Sequence, residues 1–355
     1  MKPVEASTPV RLRPRSSIRP VPEEMPREGP LVDRFARVHT DLRVSITDRC
    51  NLRCVYCMPE DGLDFSPRDE LLGFDEIARV ARVARRLGIS SVRITGGEPL
   101  VRHGIVELVA ALGSLGFDDL ALTTNGTSLR RLAPALVAAG LQRVNVSCDS
   151  LRPDRFAAIR RRGDLATVLD AMDGAEQAGL PTVKVNVVVM AGVNDDEIID
   201  FAAFARSTRR TVRFIEFMPL DADGRWQRDG VVPMARVVES INERWPIEAV
   251  AAGDDPAPAT RYRFVDGAGE IGVIASVTQP FCGTCNRVRL TSDGSLRNCL
   301  FSDDEIDVRA VLRGDGSDDD LERAFRVSVW GKRAGHGLDE PGFLPPRRSM
   351  SRIGG

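Results

Sequence analysis

From Leu42 to about Met218, short β-branched runs alternate with amphipathic stretches, and each run is apolar on one side and polar on the other. Strands are expected at Leu42–Ile46, Ser91–Thr95, Asp119–Thr123, Arg143–Ser147, Thr182–Val189 and Thr211–Phe217. Helical patterns at Phe74–Leu87, Gly104–Leu115, Leu129–Ala139, Leu165–Ala178 and Glu197–Arg206 lie between them. Repeated βα units imply a parallel sheet. In an open sheet covered by helices on both faces, both side-chain sets are apolar; here they are not. Leu42, Val44 and Ile46 alternate with Arg43, Ser45 and Thr47, and Val92 and Ile94 with Arg93 and Thr95. Val144 and Val146 alternate with Asn145 and Ser147, and Val183, Val185 and Val187 with Lys184 and Asn186. A barrel or open barrel explains both sets, with apolar residues packed outward on helices and polar ones lining a lumen. That lumen would carry Arg43, Arg93 and Lys184. Interior cations are costly unless something anionic meets them, so parity points to an acidic substrate such as a phosphate ester. The plain alternative is that each is a strand-end residue turned to bulk water.

A helix at Met234–Arg244 precedes a stretch rich in Gly, Asp and Pro, Ala252–Thr260, where a boundary is expected. Beyond it come hairpin-like strands (Arg261–Val265, Ile271–Val277, Arg287–Leu290) and helical segments (Ile306–Leu312, Asp319–Val329). The expected organisation is a disordered Pro/Arg-rich tail over 1–29, a partial barrel over 30–250 and a smaller C-terminal α+β region over 251–355. Glu23, Glu24 and Glu28, with no apolar helical face, argue against reading the tail as a targeting peptide. No stretch approaches the roughly 20 apolar residues of a membrane span. A formal net charge of −2 gives no general attraction to nucleic acid or membranes. Seven cysteines, odd in number and clustered, do not suit a secreted disulfide framework, so a reducing, cytoplasmic setting is expected.

Six of those cysteines fall into two trios. Cys50, Cys54 and Cys57 directly follow the first strand, at the strand edge where barrel active sites sit. Three close thiolates without a local fourth suit an iron–sulfur cluster with one iron open, or zinc with a distant fourth ligand. Cys282 and Cys285 are joined later by Cys299 across a hairpin, again as a trio, for which a zinc ribbon is the structural alternative. Cys148 lies on the apolar parity of its strand and reads as a packed core thiol.

The first trio, CxxxCxxC with Tyr56 before the last cysteine, resembles the signature of radical S-adenosylmethionine (SAM) enzymes, and Gly96-Gly97-Glu98-Pro99 after the second strand is similar to their GGEP motif. The second trio behind such a barrel resembles the GTP 3′,8-cyclase (MoaA) family of molybdenum cofactor biosynthesis. So do Thr47-Asp-Arg-Cys-Asn, Leu122-Thr-Thr-Asn-Gly, Arg213-Phe-Ile-Glu-Phe-Met and the terminal Gly354-Gly355. The resemblance implies two [4Fe–4S] clusters, one on Cys50, Cys54 and Cys57 and one on Cys282, Cys285 and Cys299. It implies SAM contacts from Tyr56, Gly97, Glu98, Ser147 and Met218. GTP contacts would come from Arg43, Arg93, Thr123, Lys184, Arg287, Val288 and Arg289, with Arg287 and Arg289 also catalytic. The implied reaction is a lyase-type cyclisation of GTP that feeds cyclic pyranopterin monophosphate synthase, in a monomer or homodimer served by an electron donor the sequence does not identify. Another two-cluster radical SAM enzyme acting on peptides, and a non-catalytic zinc module, are the competing readings. Tyr56 as a loop cap, Ser147 as a helix cap and Met218 as core filler are the plainer roles for those three.

Overall fold

The structure, a computed structural model, describes residues 22–251 and 257–354. Most of the expected tail, the heart of the expected boundary (252–256) and Gly355 lie outside the described residues. Within the rest of the tail, Met25 is buried in the main core.

The six expected strands are present as β1 (Asp41–Ser45), β2 (Ser91–Thr95), β3 (Asp119–Thr124), β4 (Arg143–Ser147), β5 (Val183–Val189) and β6 (Thr211–Glu216). They pair in parallel, in sequence order. The C-terminal strands then extend the same sheet at both ends. After β7 (Ile247–Ala249) and β8 (Thr260–Phe264), β9 (Glu270–Ile274) joins β6 in parallel; β10 (Arg287–Leu290) joins the far edge, parallel to β1. Antiparallel β8 and β7 continue beyond β9, and β11 (Ser295–Arg297) and β12 (Glu305–Asp307) continue beyond β10. The result is one twelve-stranded sheet in the order β12-β11-β10-β1-β2-β3-β4-β5-β6-β9-β8-β7. Backbone groups that β1 and β6 would leave unpaired at their edges are thereby satisfied.

The helices are α1 (Phe74–Arg86), α2 (Ile105–Gly113), α3 (Leu129–Ala138), α4 (Pro153–Arg160), α5 (Leu165–Gln177), α6 (Ile198–Thr208), α7 (Met234–Arg244), α8 (Arg309–Arg313), α9 (Asp318–Trp330) and α10 (Met350–Ile353). α1 shows why these segments are helical. Ile77, Val80, Ala81 and Ala84 form its buried stripe at helical spacing. Glu76 reaches back to the Gly73 N–H at 2.6 Å, and acidic residues open the helix while Arg85 and Arg86 close it, in accord with the helix dipole. Asp164 caps α5 by accepting from Thr167 N–H, and Ser317 caps α9 in a reciprocal box with Asp320.

Outward-facing Leu42, Val44, Val92, Ile94, Val144, Val146, Val185 and Val187 are all essentially inaccessible in one continuous core. Residues of the other parity from all eight parallel strands line a single cavity. Eight flat strands would spread over about 34 Å at ~4.8 Å per strand, so a shared cavity requires the sheet to curl around it. The two ends do not pair with each other, so the barrel is open. Among the described residues no helix is long and apolar enough to cross a membrane.

Candidate active site

The loop bearing Cys50, Cys54 and Cys57 runs on from β1 and is pinned by backbone on two sides. Gly97 N–H donates to the Thr47 carbonyl at 2.7 Å and Glu98 N–H to the Arg49 carbonyl at 2.8 Å. A Cβ at Gly97 would lie 2.4 Å from the Arg49 oxygen, so only glycine allows this approach. From the opposite side, Arg53 and Val55 N–H groups donate to the Arg160 and Ile159 carbonyls at the end of α4, an element without a sequence expectation. Glu98 is buried and splints the β2 and β3 loops: its carboxylate accepts from Leu100 N–H, Thr124 Oγ1 and Asn125 N–H at 2.6–2.9 Å. Little of its acceptor capacity remains for a ligand ammonium.

Burial pushes the Cys50 thiol up to about 11, and Cys57 higher still, with Cys54 and Cys50 adding to the effect on Cys57. Burial raises Cys54 too, although Arg160 Nη1 donates to its sulfur at 3.3 Å. Thiols so placed become thiolates only when a metal centre takes the charge, which fits a soft cluster. Arg160 is itself held by Asp149 at 2.7 Å, and Asp149 also accepts the Tyr56 hydroxyl at 2.8 Å. Sequence reasoning found neither Arg160 nor Asp149, since a partner about a hundred residues away leaves no local pattern.

The second trio sits across the lumen, between the end of β9 and α9. Burial would raise Cys285, but Arg287 and Lys332 outweigh it and bring the thiol down to about 6. Lys332 Nζ is 3.2 Å from the Cys285 sulfur and donates to the Arg287 carbonyl at 2.9 Å. Arg37 braces the same loops, donating to the carbonyls of Cys282, Arg333 and Ala334. Among the described residues no three His, Cys or carboxylate side chains converge as ligands of a single metal ion do.

One cavity of about 1300 Å³, its mouth included, is lined by Tyr56 from the first cysteine loop and by Cys282, Cys285 and Cys299. Arg43, Arg93, Thr123, Ser147, Met218, Arg287 and Arg289 also line it. Strand register sets Arg289, Arg43 and Arg93 side by side on three adjacent strands. Arg213 was missed, although the parity of Thr211–Glu216 points it inward, and it donates to Asn145 Oδ1 at 3.1 Å. Asp41 lies 3.6 Å from Arg43 as a partial counter-charge. Burial lowers Arg289 to about 9, with Arg43 and Arg287 adding to the fall, and burial lowers Arg93 as well. Among the described residues, buried Arg43 Nε and Nη2, Arg93 Nε, Arg287 Nε and Asn186 Oδ1 have no hydrogen-bond partner. Unsatisfied donors on several cations that share the one carboxylate of Asp41 describe a receptor for a polyanion.

Some expected contacts fall elsewhere. Val288, of opposite parity to Arg287 and Arg289, is fully buried in the outer core, so its side chain faces away from the cavity. Lys184 is half-buried beyond the cavity lining, within the field of Arg213 and Arg143. Gly97 acts through backbone packing. Gly354 does enter the lumen, its carbonyl 2.5 Å from Arg289 Nη1, where a Cβ would lie 2.9 Å from Ser45 and Thr95.

A curled parallel sheet with a three-cysteine loop after its first strand defines a radical SAM protein, and the Radical SAM superfamily model matches residues 44–205. The model described as Molybdenum Cofactor Synthesis C matches residues 210–338, the part that carries the second trio. A GTP 3′,8-cyclase of Streptomyces coelicolor is 50% identical over 334 residues, covering 93% of this chain and 98% of the relative. One from Mycobacterium marinum is 46% identical over 350 residues, with 97% of each covered. The chain belongs to the GTP 3′,8-cyclase family, whose radical SAM class brings SAM and an iron–sulfur cluster as cofactors. In fold it is similar to Streptococcus suis SuiB bound to S-adenosylmethionine, with TM-score 0.56 and 13% identity over 82% of this chain and 65% of that one. The chain thus spans just under two thirds of that structure.

Proposed function

We propose that this chain cyclises GTP to (8S)-3′,8-cyclo-7,8-dihydroguanosine 5′-triphosphate, using two [4Fe–4S] clusters, in a reducing, cytoplasmic setting. The observation that carries this reading is the cationic row Arg289, Arg43 and Arg93 in a cavity that touches both cysteine loops. Cys50, Cys54 and Cys57 would hold the cluster that meets SAM, and Cys282, Cys285 and Cys299 the one that meets guanine. With both cofactors bound, reductive cleavage of SAM supplies a 5′-deoxyadenosyl radical that takes the 3′ hydrogen of GTP. C3′ would then bond to C8 of guanine as the C8=N7 double bond opens, and one electron from the external reductant and one proton would complete the product.

The protein's own contribution is placement and charge. Arg43, Arg93 and Arg289 bind the triphosphate and fix the ribose between the two loops; Arg287, stacked on Phe281 at 4.5 Å, stands beside the second trio. Tyr56, Ser147 and Met218 line the SAM end of the cavity. Gly354 closes the lumen against water at the phosphate end, on Arg289. Competing peptide chemistry would have no use for a buried row of arginines.

Reduced, anaerobically reconstituted protein given SAM and GTP should form 5′-deoxyadenosine only when GTP is present, with about eight irons per chain. Deoxyadenosine that forms equally without GTP, or stoichiometric zinc in place of iron, would sink the proposal.

A further inference from the structure

Lys332 follows α9 and is 3% exposed, and sequence reasoning assigned it no role. Its ammonium donates to the Cys285 sulfur at 3.2 Å and to the Arg287 carbonyl at 2.9 Å, and lies 3.4 Å from the Cys285 carbonyl. Among the described residues no carboxylate forms an ion pair with it. Its charged neighbour Arg287 has the same sign. His39, pushed down to about 3 by burial and by the Lys332 charge, supplies no negative charge to it either. A buried ammonium without a compensating anion is costly, and the side chain it points at is the Cys285 sulfur.

The first trio is built differently. Arg160 also donates to a cysteine sulfur, but Asp149 neutralises it at 2.7 Å. One cluster site is therefore backed by a neutral ion pair and the other by a net positive charge. Charge and hydrogen bonds to the sulfurs are among the levers that set a cluster's reduction potential. We propose that Lys332 is the buried counter-ion of the second cluster, a positioning residue that raises its potential above that of the first and strengthens the pull of its open iron on substrate. This rests on the two-cluster reading above. The division suits the chemistry: the first cluster must be a strong reductant, whereas the second must hold a ligand without giving up the electron.

The test is an EPR-monitored redox titration of the full holoenzyme beside Lys332→Met, which keeps the side-chain volume but removes charge and donors, and Lys332→Arg, which keeps both. In the methionine variant the second cluster's reduced-to-oxidised ratio at a fixed potential should fall about tenfold, a shift of ~59 mV for one electron. The first cluster's potential should not move, and the arginine variant should restore most of the second's. If Lys332→Met loses the second cluster, its restoration in Lys332→Arg supports the counter-ion role. An unmoved second potential in an iron-replete Lys332→Met protein overturns the inference, as does loss of that cluster in both variants. Wild-type protein with only about four irons would instead remove the two-cluster reading itself.

Discussion

Burial, with Arg213 beside it, lowers Lys184 to about 8, and this ties substrate affinity to pH. An anion binds the ammonium form, so the KM for GTP should be flat below pH 8 and climb above it as the free protein loses that proton. Lys184→Arg should abolish the alkaline climb. Lys184→Met should raise KM only about fivefold at pH 7, ~1 kcal/mol for a nearby charge that acts on the substrate from behind the cavity lining. Steady-state kinetics across pH 6.5 to 9.5 read both effects; an unchanged KM in Lys184→Met would assign the lysine to the wall rather than to the substrate. The stability consequence runs oppositely: with a folded pKa below the unfolded one, the ligand-free protein gains stability from this group as pH rises from about 8 towards the lysine's ordinary value. At this scale, strand alternation alone singled out Arg43, Arg93 and Lys184. The same alternation holds at Arg143 and Arg213. Asp149, Arg160 and Lys332 had no such signature, because each acts through a partner supplied by tertiary folding.

Loops of unlike origin meet at the first trio, and their spacing depends on one missing side chain. Gly97→Ala would drive a Cβ into the Arg49 carbonyl and lever the β1 loop away from the β2 loop. Iron content should fall to about four per chain while the second cluster's spectrum persists; full iron in Gly97→Ala would contradict this role for the glycine. Parallel strands of five to seven residues were legible because alternation repeats within them. β7, β11 and β12, at three residues each, are too short to show a period. The helix expected at Ile306–Leu312 divides into β12 and α8 because Asp307 caps the turn between them, accepting the Arg309 and Ala310 N–H groups.

The C-terminal strands clasp the sheet from both ends: β10 brings Arg287 and Arg289 beside Arg43, and β9 carries the wall on to Arg213. The βα rhythm made the parallel barrel legible, but nothing local to residues 260–290 announced that two nearby strands would join opposite edges. That pairing is decided by which edges remain open once six strands have formed. It also places the second trio on the cavity that Tyr56 of the first cysteine loop lines. The most direct test follows deuterium from GTP labelled at the ribose 3′ position. Transfer of that deuterium into 5′-deoxyadenosine during a single turnover is the result predicted here; unlabelled deoxyadenosine formed from the labelled GTP would contradict it.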